Sequence, residues 1–506
     1  MSTLSTGELA AIIGGRLRLG SMPPLGGDLE PIGRLAIDSR TVAAGELFWG
    51  LATPPDAANL PEEAFARGAQ GVVVAGRRVA PWAGTFSIEV DDAKWALWQL
   101  ARTMRSRFEG RVIAVAGDLG KTTTRAMIET VLCGQFAGFH GDDQQQHRER
   151  LRVGLPLVLS QLDDDEYDYA VVELHGRDPR ELAAEVQLCR PDIFVLTPSA
   201  EDGAAHRGAY RELLEALPPE CLVVASGDDR RWERALNSIH TNTMWVGRGA
   251  DCDLAADRVR LGGGRLQLFL EGRPVRVPVW GRHHLSSVLA ALAVARLMGL
   301  DVEQASSALT EFAPPAGCCS VIEESGVTVV DDTRCTSATA ARSVIHALRD
   351  AARTGRRLLV LGELPAHHNL PLHEIEAKYR LLGATAVGQC GADGLIACGA
   401  GARQAVDAAR QAGMPHAAAV ACGQTTDIAP LAARAARPGD TVLVVGGLGE
   451  ALPEIVAKIA AAQQTSTEKP TKSTTMPQSS KLTFEVPPLA SALREADAAL
   501  PPGLEH

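Results

Sequence analysis

The segment Val112-Ile113-Ala114-Val115-Ala116-Gly117-Asp118-Leu119-Gly120-Lys121-Thr122-Thr123-Thr124 decides how the chain reads. It begins with a short run of Val, Ile and Ala, the pattern of a buried strand. A glycine-bounded loop follows, and Thr122 to Leu132 reads as a helix. That order makes a phosphate cradle. Gly117 and Gly120 let the backbone pass close to phosphate oxygens, and the leading helical N–H groups point at the anion. Gly117, Asp118, Leu119, Gly120, Lys121, Thr122 and Thr123 are therefore candidate nucleotide contacts. Lys121 is placed to bridge β- and γ-phosphates, and the Thr122 hydroxyl can reach a Mg²⁺ ion. The loop, G-x-x-G-K-T-T, is shorter than the G-x-x-x-x-G-K-[ST] form, and an ordinary helix start is the competing reading. A nucleoside triphosphate site is the expectation.

Working outward, 506 residues are too many for one hydrophobic core, so several domains are expected. The apolar fraction of 46% is ordinary, while 4% aromatic residues imply a core built from Ala, Leu and Val. A net charge of −11 supplies no basic footprint for nucleic acid. The ten cysteines form no C-x-x-C pair, which reads as reduced thiols in a cytoplasmic protein. Neither a signal peptide nor an apolar run of about 18 residues is visible, so no membrane span is expected.

Residues 1–108 read as a small α/β domain. Its expected elements are a helix over Thr6–Ile13, a strand over Leu35–Arg40, a helix over Pro61–Arg67 and the buried strand Gly71–Ala75. Asp91–Arg107 reads as an amphipathic helix leading into the next domain. Over 109–314, strands and helices alternate, which argues a mostly parallel sheet covered on both faces. Tyr169–Glu173 is a strand with a carboxylate at its C-terminal end, where open α/β sheets collect ligands. Glu173 is thus a candidate partner of the phosphate loop, the alternative being a solvated carboxylate. Gly262-Gly263-Gly264 suggests a hairpin on an antiparallel extension. Residues 315–462 read as a third α/β domain, with a helix over Ser337–Arg353, and 463–506 as a disordered tail rich in Gln, Ser, Thr, Lys and Pro.

A G-x-x-G-K-T-T-T loop opening the middle of three α/β domains resembles the Mur ligases, ATP-dependent amide-forming enzymes of peptidoglycan precursor synthesis. Within that family the chain is most similar to the D-alanyl-D-alanine-adding branch. Asp38-Ser39-Arg40, with Val42 and Gly45-Glu46-Leu47-Phe48, is similar to the segment receiving the UDP end of the substrate. Gly154-Leu155-Pro156-Leu157 is similar to a loop on the substrate side. Pro191-Asp192, Thr197 and Ala205-His206 follow the family's central pattern, and Gly281-Arg282-His283 opens a helix near the adenine. Asp331-Asp332, Ser337, Leu361-Gly362-Glu363-Leu364 and His373 favour the D-alanyl-D-alanine-adding branch.

The resemblance implies a three-domain fold with a central P-loop sheet and a Rossmann-like C-terminal domain. It implies ATP and Mg²⁺ as cofactors, with a UDP-N-acetylmuramoyl peptide and a D-amino-acid dipeptide or similar amine as substrates, handled by a monomer. ATP would phosphorylate a peptide carboxylate to an acyl phosphate, which the amine then attacks. Lys121 would hold the transferring phosphate. Thr122 or Thr123 would hold a first Mg²⁺ together with Glu173, and His206 a second. Ser39 and Arg40 would bind substrate, His283 would lie near the adenine, and Asp331 would reach ribose or phosphates. From the residues alone, His206 can equally be an ordinary loop histidine, and Asp331-Asp332 a strand-end turn.

The chain also departs from the family's pattern. Relatives carry a lysine after the Ala-His pair whose carbamate helps to hold the second Mg²⁺. Here Lys121 is the only lysine between Lys94 and Lys378, and arginine does not form a carbamate. His283-His284-x-x-Ser287 stands for His-Asn-x-x-Asn, Gly317-Cys318 for Gly-Arg, Thr333-Arg334-Cys335-Thr336 for Tyr-Asn-Ala-Asn, and Val445-Gly446-Gly447-Leu448 for a lysine-glycine-serine element. Three functional readings stand at this level: a Mur-type ligase, a catalytically impaired Mur-like protein that binds nucleotide or precursor as a partner or regulator, and a ligase for another substrate.

Overall fold

The computed structural model describes residues 4–21, 32–51, 60–139, 154–162, 166–176, 179–199, 207–236, 242–262, 264–350, 355–365 and 370–467. The chain divides into two compact units, 1–315 and 316–506. The first unit carries two separate sheets and the second carries one.

The first sheet comprises β1 (Arg16–Leu19), β2 (Leu35–Ala36), β3 (Leu47–Trp49), β4 (Gly71–Ala75) and β5 (Phe86–Val90) in the order β1-β5-β4-β3-β2. Only β1 runs antiparallel to its neighbour. The strand expected over Leu35–Arg40 ends at Ala36, because the Asp38 carboxylate accepts the Arg40 amide at 2.9 Å and turns the chain.

The second sheet has nine strands: β6 (Arg111–Ala116), β7 (Gly138–Phe139), β8 (Tyr169–Glu173), β9 (Ile193–Leu196), β10 (Leu222–Ser226), β11 (Asn242–Gly247), β12 (Leu254–Gly262), β13 (Arg265–Leu270) and β14 (Arg273–Val277). Their order is β14-β13-β12-β11-β10-β9-β6-β8-β7. The strands from β7 to β12 pair in parallel, and β12 to β14 form the expected antiparallel extension. Burial on both faces explains the unbroken apolar run of β6. Ile113 and Val115 point into one core, shared with the helices Lys121–Leu132 and Leu285–Leu297, and Val112, Ala114 and Ala116 point into the other.

The helix Ala93–Arg107 joins the two sheets of this unit. Asp92 caps it, accepting the amides of Lys94 and Trp95 at 2.8 and 3.0 Å. Leu97, Leu100 and Met104 enter the core of the first sheet, while Ala101 enters that of the second. Arg105 then reaches across to the carbonyls of Cys189 and Arg190 at 2.6 and 2.8 Å, and burial lowers its pKa from the ordinary guanidinium value. Gly154-Leu155-Pro156-Leu157, expected as a loop, lies in a short helix, Gly154–Leu159, whose Leu157 is fully buried in the first sheet's core. Leu155 and Leu159 enter the core of the second sheet, so the segment is wedged between the two cores.

The second unit is a six-stranded sheet of β15 (Ser320–Glu324), β16 (Val327–Asp332), β17 (Arg357–Leu361), β18 (Gly394–Cys398), β19 (Ala419–Cys422) and β20 (Thr441–Val445), ordered β15-β16-β20-β17-β18-β19. It is parallel except for β15. The helix expected over Ser337–Arg353 is shorter, Ala338–Ile345, and tightens into a 3₁₀ turn over His346–Asp350. The final helix, Leu452–Thr467, continues past position 462, where a disordered tail was expected to begin. All ten cysteines are free thiols. Among the described residues no helix is long and apolar enough to cross a membrane.

Candidate active site

β6 ends at Ala116 and the chain turns through Gly117–Gly120 into the helix Lys121–Leu132, the geometry expected of the phosphate loop. Gly117 has φ +122°, and a Cβ there would stand 2.4 Å from Thr197 Oγ1, so only glycine fits. The loop is stitched to the end of β9, since the amides of Asp118 and Leu119 donate to the Pro198 carbonyl at 3.4 and 3.2 Å. The donors left for an anion are the leading amides of the helix, which have no intrahelical acceptor and sit at the positive end of its dipole. Lys121 Nζ donates to the Gly117 carbonyl at 2.8 Å, which holds the ammonium against the loop. A phosphate oxygen is a stronger partner for that ammonium than a neutral carbonyl.

β8 delivers Glu173 to the same end of the sheet. Its Oε2 accepts from Thr122 Oγ1 at 3.1 Å, and its Oε1 accepts from Arg125 Nε at 3.0 Å. The Glu173 side chain is only 2% exposed, so the reading of a solvated carboxylate is overturned. Arg125 also holds Glu129 at 2.8 Å, and His175 Nε2 stands 3.7 Å from Glu173 Oε2. Of the two threonines expected at the first Mg²⁺, Thr122 faces Glu173, whereas Thr123 is buried. Thr124, not singled out from the sequence, bonds the Gly120 carbonyl at 2.8 Å and Ser287 Oγ at 2.9 Å. That buried bond ties the loop to the helix Leu285–Leu297.

Beyond Pro198 lies a cavity of about 460 Å³ at the C-terminal ends of β10 and β11. Ser226, Asp229, Arg248 and Arg282 line it, and His283 stands on its wall beside Ser286. A cavity next to a phosphate loop at the strand ends is where a nucleoside can lie.

Glu185 was missed by the sequence reading. From the helix Pro179–Cys189 it accepts the amides of His175 and Gly176 at 2.9 and 3.0 Å, and burial pushes its carboxyl up to about 7. A carboxylate on an amphipathic helix gives no sequence signal that separates this role from a solvated one.

Other expected residues are placed differently. Ser39 is fully buried, donating to Glu63 at 2.7 Å, which makes it a structural hydroxyl of the first sheet. Arg40 is held bidentately by Asp38 at 2.9 and 2.6 Å, yet its side chain stays 55% exposed and can meet an anion. Asp331 accepts from the Thr333 amide and hydroxyl at 3.0 and 2.7 Å, the Gly317 amide at 2.8 Å and the Ser320 hydroxyl at 3.3 Å. These bonds lie within its own unit and form the strand-end turn. Asp332 is buried against the Cys319 thiol at 3.4 Å, and burial pushes its carboxyl up to about 7. His206 lies outside the described residues.

The chain matches the model of the Mur ligase middle domain over residues 115–295 and that of the Mur ligase glutamate ligase domain over residues 319–448. A UDP-N-acetylmuramoyl-tripeptide–D-alanyl-D-alanine ligase of Synechocystis is 29% identical over 369 residues, covering 70% of this chain and 78% of the relative. The ligase of the same name from Bacillus subtilis is 26% identical and covers 65% and 73%. The fold is similar to that of MurF from Acinetobacter baumannii, with a TM-score of 0.72 at 20% identity over 91% of this chain and 99% of that one. MurF of Thermotoga maritima, solved with ADP, gives a TM-score of 0.67 at 20% identity over 86% and 99%. Both domain models fall on the segments that carry the phosphate loop and the six-stranded sheet, and the chain belongs to the Mur ligase family.

Proposed function

We propose that this protein is an ATP-dependent, ADP-forming ligase that adds D-alanyl-D-alanine to a UDP-N-acetylmuramoyl tripeptide in the synthesis of peptidoglycan precursors. The observation that carries the reading is the pairing of Thr122 with a buried Glu173 on the loop that bears Lys121. Relatives named for this reaction support the substrate pair. The protein would act as a monomer in the cytoplasm, where ATP and UDP-linked precursors are met.

In this reading the helix start and Lys121 bind the triphosphate and orient its terminal phosphoryl group toward the peptide carboxylate. Thr122 Oγ1 and Glu173 Oε2, hard oxygen donors 3.1 Å apart, fit Mg²⁺ and would hold it. When bound, Mg²⁺ supplies charge neutralisation on the phosphates. Arg125 holds the other carboxylate oxygen and keeps Glu173 aimed at Thr122. Arg40 is the proposed contact to the diphosphate of the UDP moiety. His206 is the proposed ligand of a second cation, and His283 the proposed neighbour of the adenine.

The test is phosphate release with Mg-ATP, UDP-N-acetylmuramoyl tripeptide and D-alanyl-D-alanine, beside a Lys121→Ala control. Release that requires both cosubstrates and vanishes in the control supports the ligase. Nucleotide binding without release would favour the impaired Mur-like protein, the reading that the missing lysine motivates.

A further inference from the structure

We propose that Glu185 is the positioning residue of the loop that presents Glu173 to the phosphate site, acting as an acceptor clamp on the amides of His175 and Gly176. The inference rests on the reading of Thr122 and Glu173 as a cation site.

β8 loses its strand neighbour just beyond Glu173. The last ladder bond on that side is from the Leu174 amide to the Val115 carbonyl, at 3.0 Å. The next amides, those of His175 and Gly176, would otherwise lack a strand partner. Both donate to the same Glu185 oxygen, Oε2, at 2.9 and 3.0 Å. Two bonds from consecutive amides to one acceptor oxygen fix the backbone direction at this point. A second contact closes the loop onto the same helix. A Cβ at Gly176 would stand 2.5 Å from the Leu182 amide nitrogen, so the loop lies against the helix where a side chain cannot enter.

The consequence reaches the site through the backbone. Glu173 is three residues from the clamped Gly176, and its Oε2 receives Thr122 at 3.1 Å with the His175 ring 3.7 Å away. A loop free to swing after Leu174 would move His175 off Glu173 and loosen the carboxylate that the cation needs. Hydrogen-bond partners of a metal's ligands are worth about 10–100-fold in affinity, the scale on which a loosened Glu173 would register.

The experiment uses the full chain with ADP and Mn²⁺ as the probe, reading Mn²⁺ affinity by electron paramagnetic resonance and amide protection over 169–176 by hydrogen exchange. Glu185→Gln keeps an acceptor oxygen and removes the charge; Glu185→Leu removes both; Gly176→Ala pushes the loop off the helix. The clamp predicts that Glu185→Gln binds Mn²⁺ within about threefold of the parent and keeps its protection. It predicts that Glu185→Leu and Gly176→Ala bind roughly 10–100-fold more weakly and lose protection. Parent-like Mn²⁺ binding and protection in Glu185→Leu would overturn it. So would a Glu185→Gln variant as weak as Glu185→Leu, which would assign the effect to charge. Mn²⁺ binding indifferent to Glu173→Ala would instead overturn the cation site, and with it the clamp's role there.

Discussion

Thr122 Oγ1 lies 3.1 Å from Glu173 Oε2, joining the first turn of the phosphate-loop helix to the end of β8. These residues are far apart in the chain, and the parallel pairing of β6 with β8 brings them to one edge of the sheet. Glu173 keeps its orientation because Arg125 takes its other oxygen.

Removing that anchor should be costly. Arg125→Ala leaves the 2%-exposed Glu173 without its guanidinium, and breaking a buried pair in this way costs about 3–5 kcal/mol. Denaturant unfolding of the unit 1–315 should show a loss of this size. Arg125→Lys, which keeps the charge, should recover part of it.

Gly117→Ala should weaken nucleotide binding while leaving the chain folded. The position has φ +122° and Thr197 Oγ1 within 2.4 Å of a Cβ, so the loop must move to accept a methyl group. Calorimetric titration with ADP should show a loss of at least about 10-fold, equivalent to ~1.4 kcal/mol, the low end of the cost of strained backbone.

The Thr124–Ser287 bond couples the loop to the helix Leu285–Leu297. Thr124→Val should cost about 1–3 kcal/mol, because it leaves a buried hydroxyl unsatisfied. Ser287→Ala combined with Thr124→Val should cost less than the sum of the single changes, and a double-mutant cycle in thermal unfolding measures the difference.

Asp332 makes the second unit sensitive to pH. Burial raises its carboxyl from 3.8 in the unfolded chain to about 7. The folded state therefore binds the proton more tightly. The resulting stabilisation is complete below about pH 3.8 and is lost as pH rises through 7. Thermal unfolding of Asp332→Asn should lack that component, so its Tm should fall less than the parent's between pH 5 and 8.

What the sequence revealed follows from how local the signals are. The phosphate loop was legible because an apolar strand, two glycines and a helix start coincide within a few residues. Glu173 was legible as a carboxylate at a strand end, where topology gathers ligands. Glu185 was not, since its partners are backbone amides, which leave no mark on residue identity. Asp331 was read both ways because a strand-end aspartate looks the same whether it meets a ligand or a turn; the structure shows the turn, through four bonds to Thr333, Gly317 and Ser320. The two-residue β7 was invisible for a different reason, being held by pairing with β8 and not by any pattern of its own.

The measurement that tests the central claim most directly is oxygen transfer from a UDP-N-acetylmuramoyl tripeptide labelled with ¹⁸O in its terminal carboxylate. With Mg-ATP and D-alanyl-D-alanine, an acyl phosphate route predicts ADP, an elongated peptide, and ¹⁸O in the released inorganic phosphate. Unlabelled phosphate, or AMP with pyrophosphate, would contradict the account.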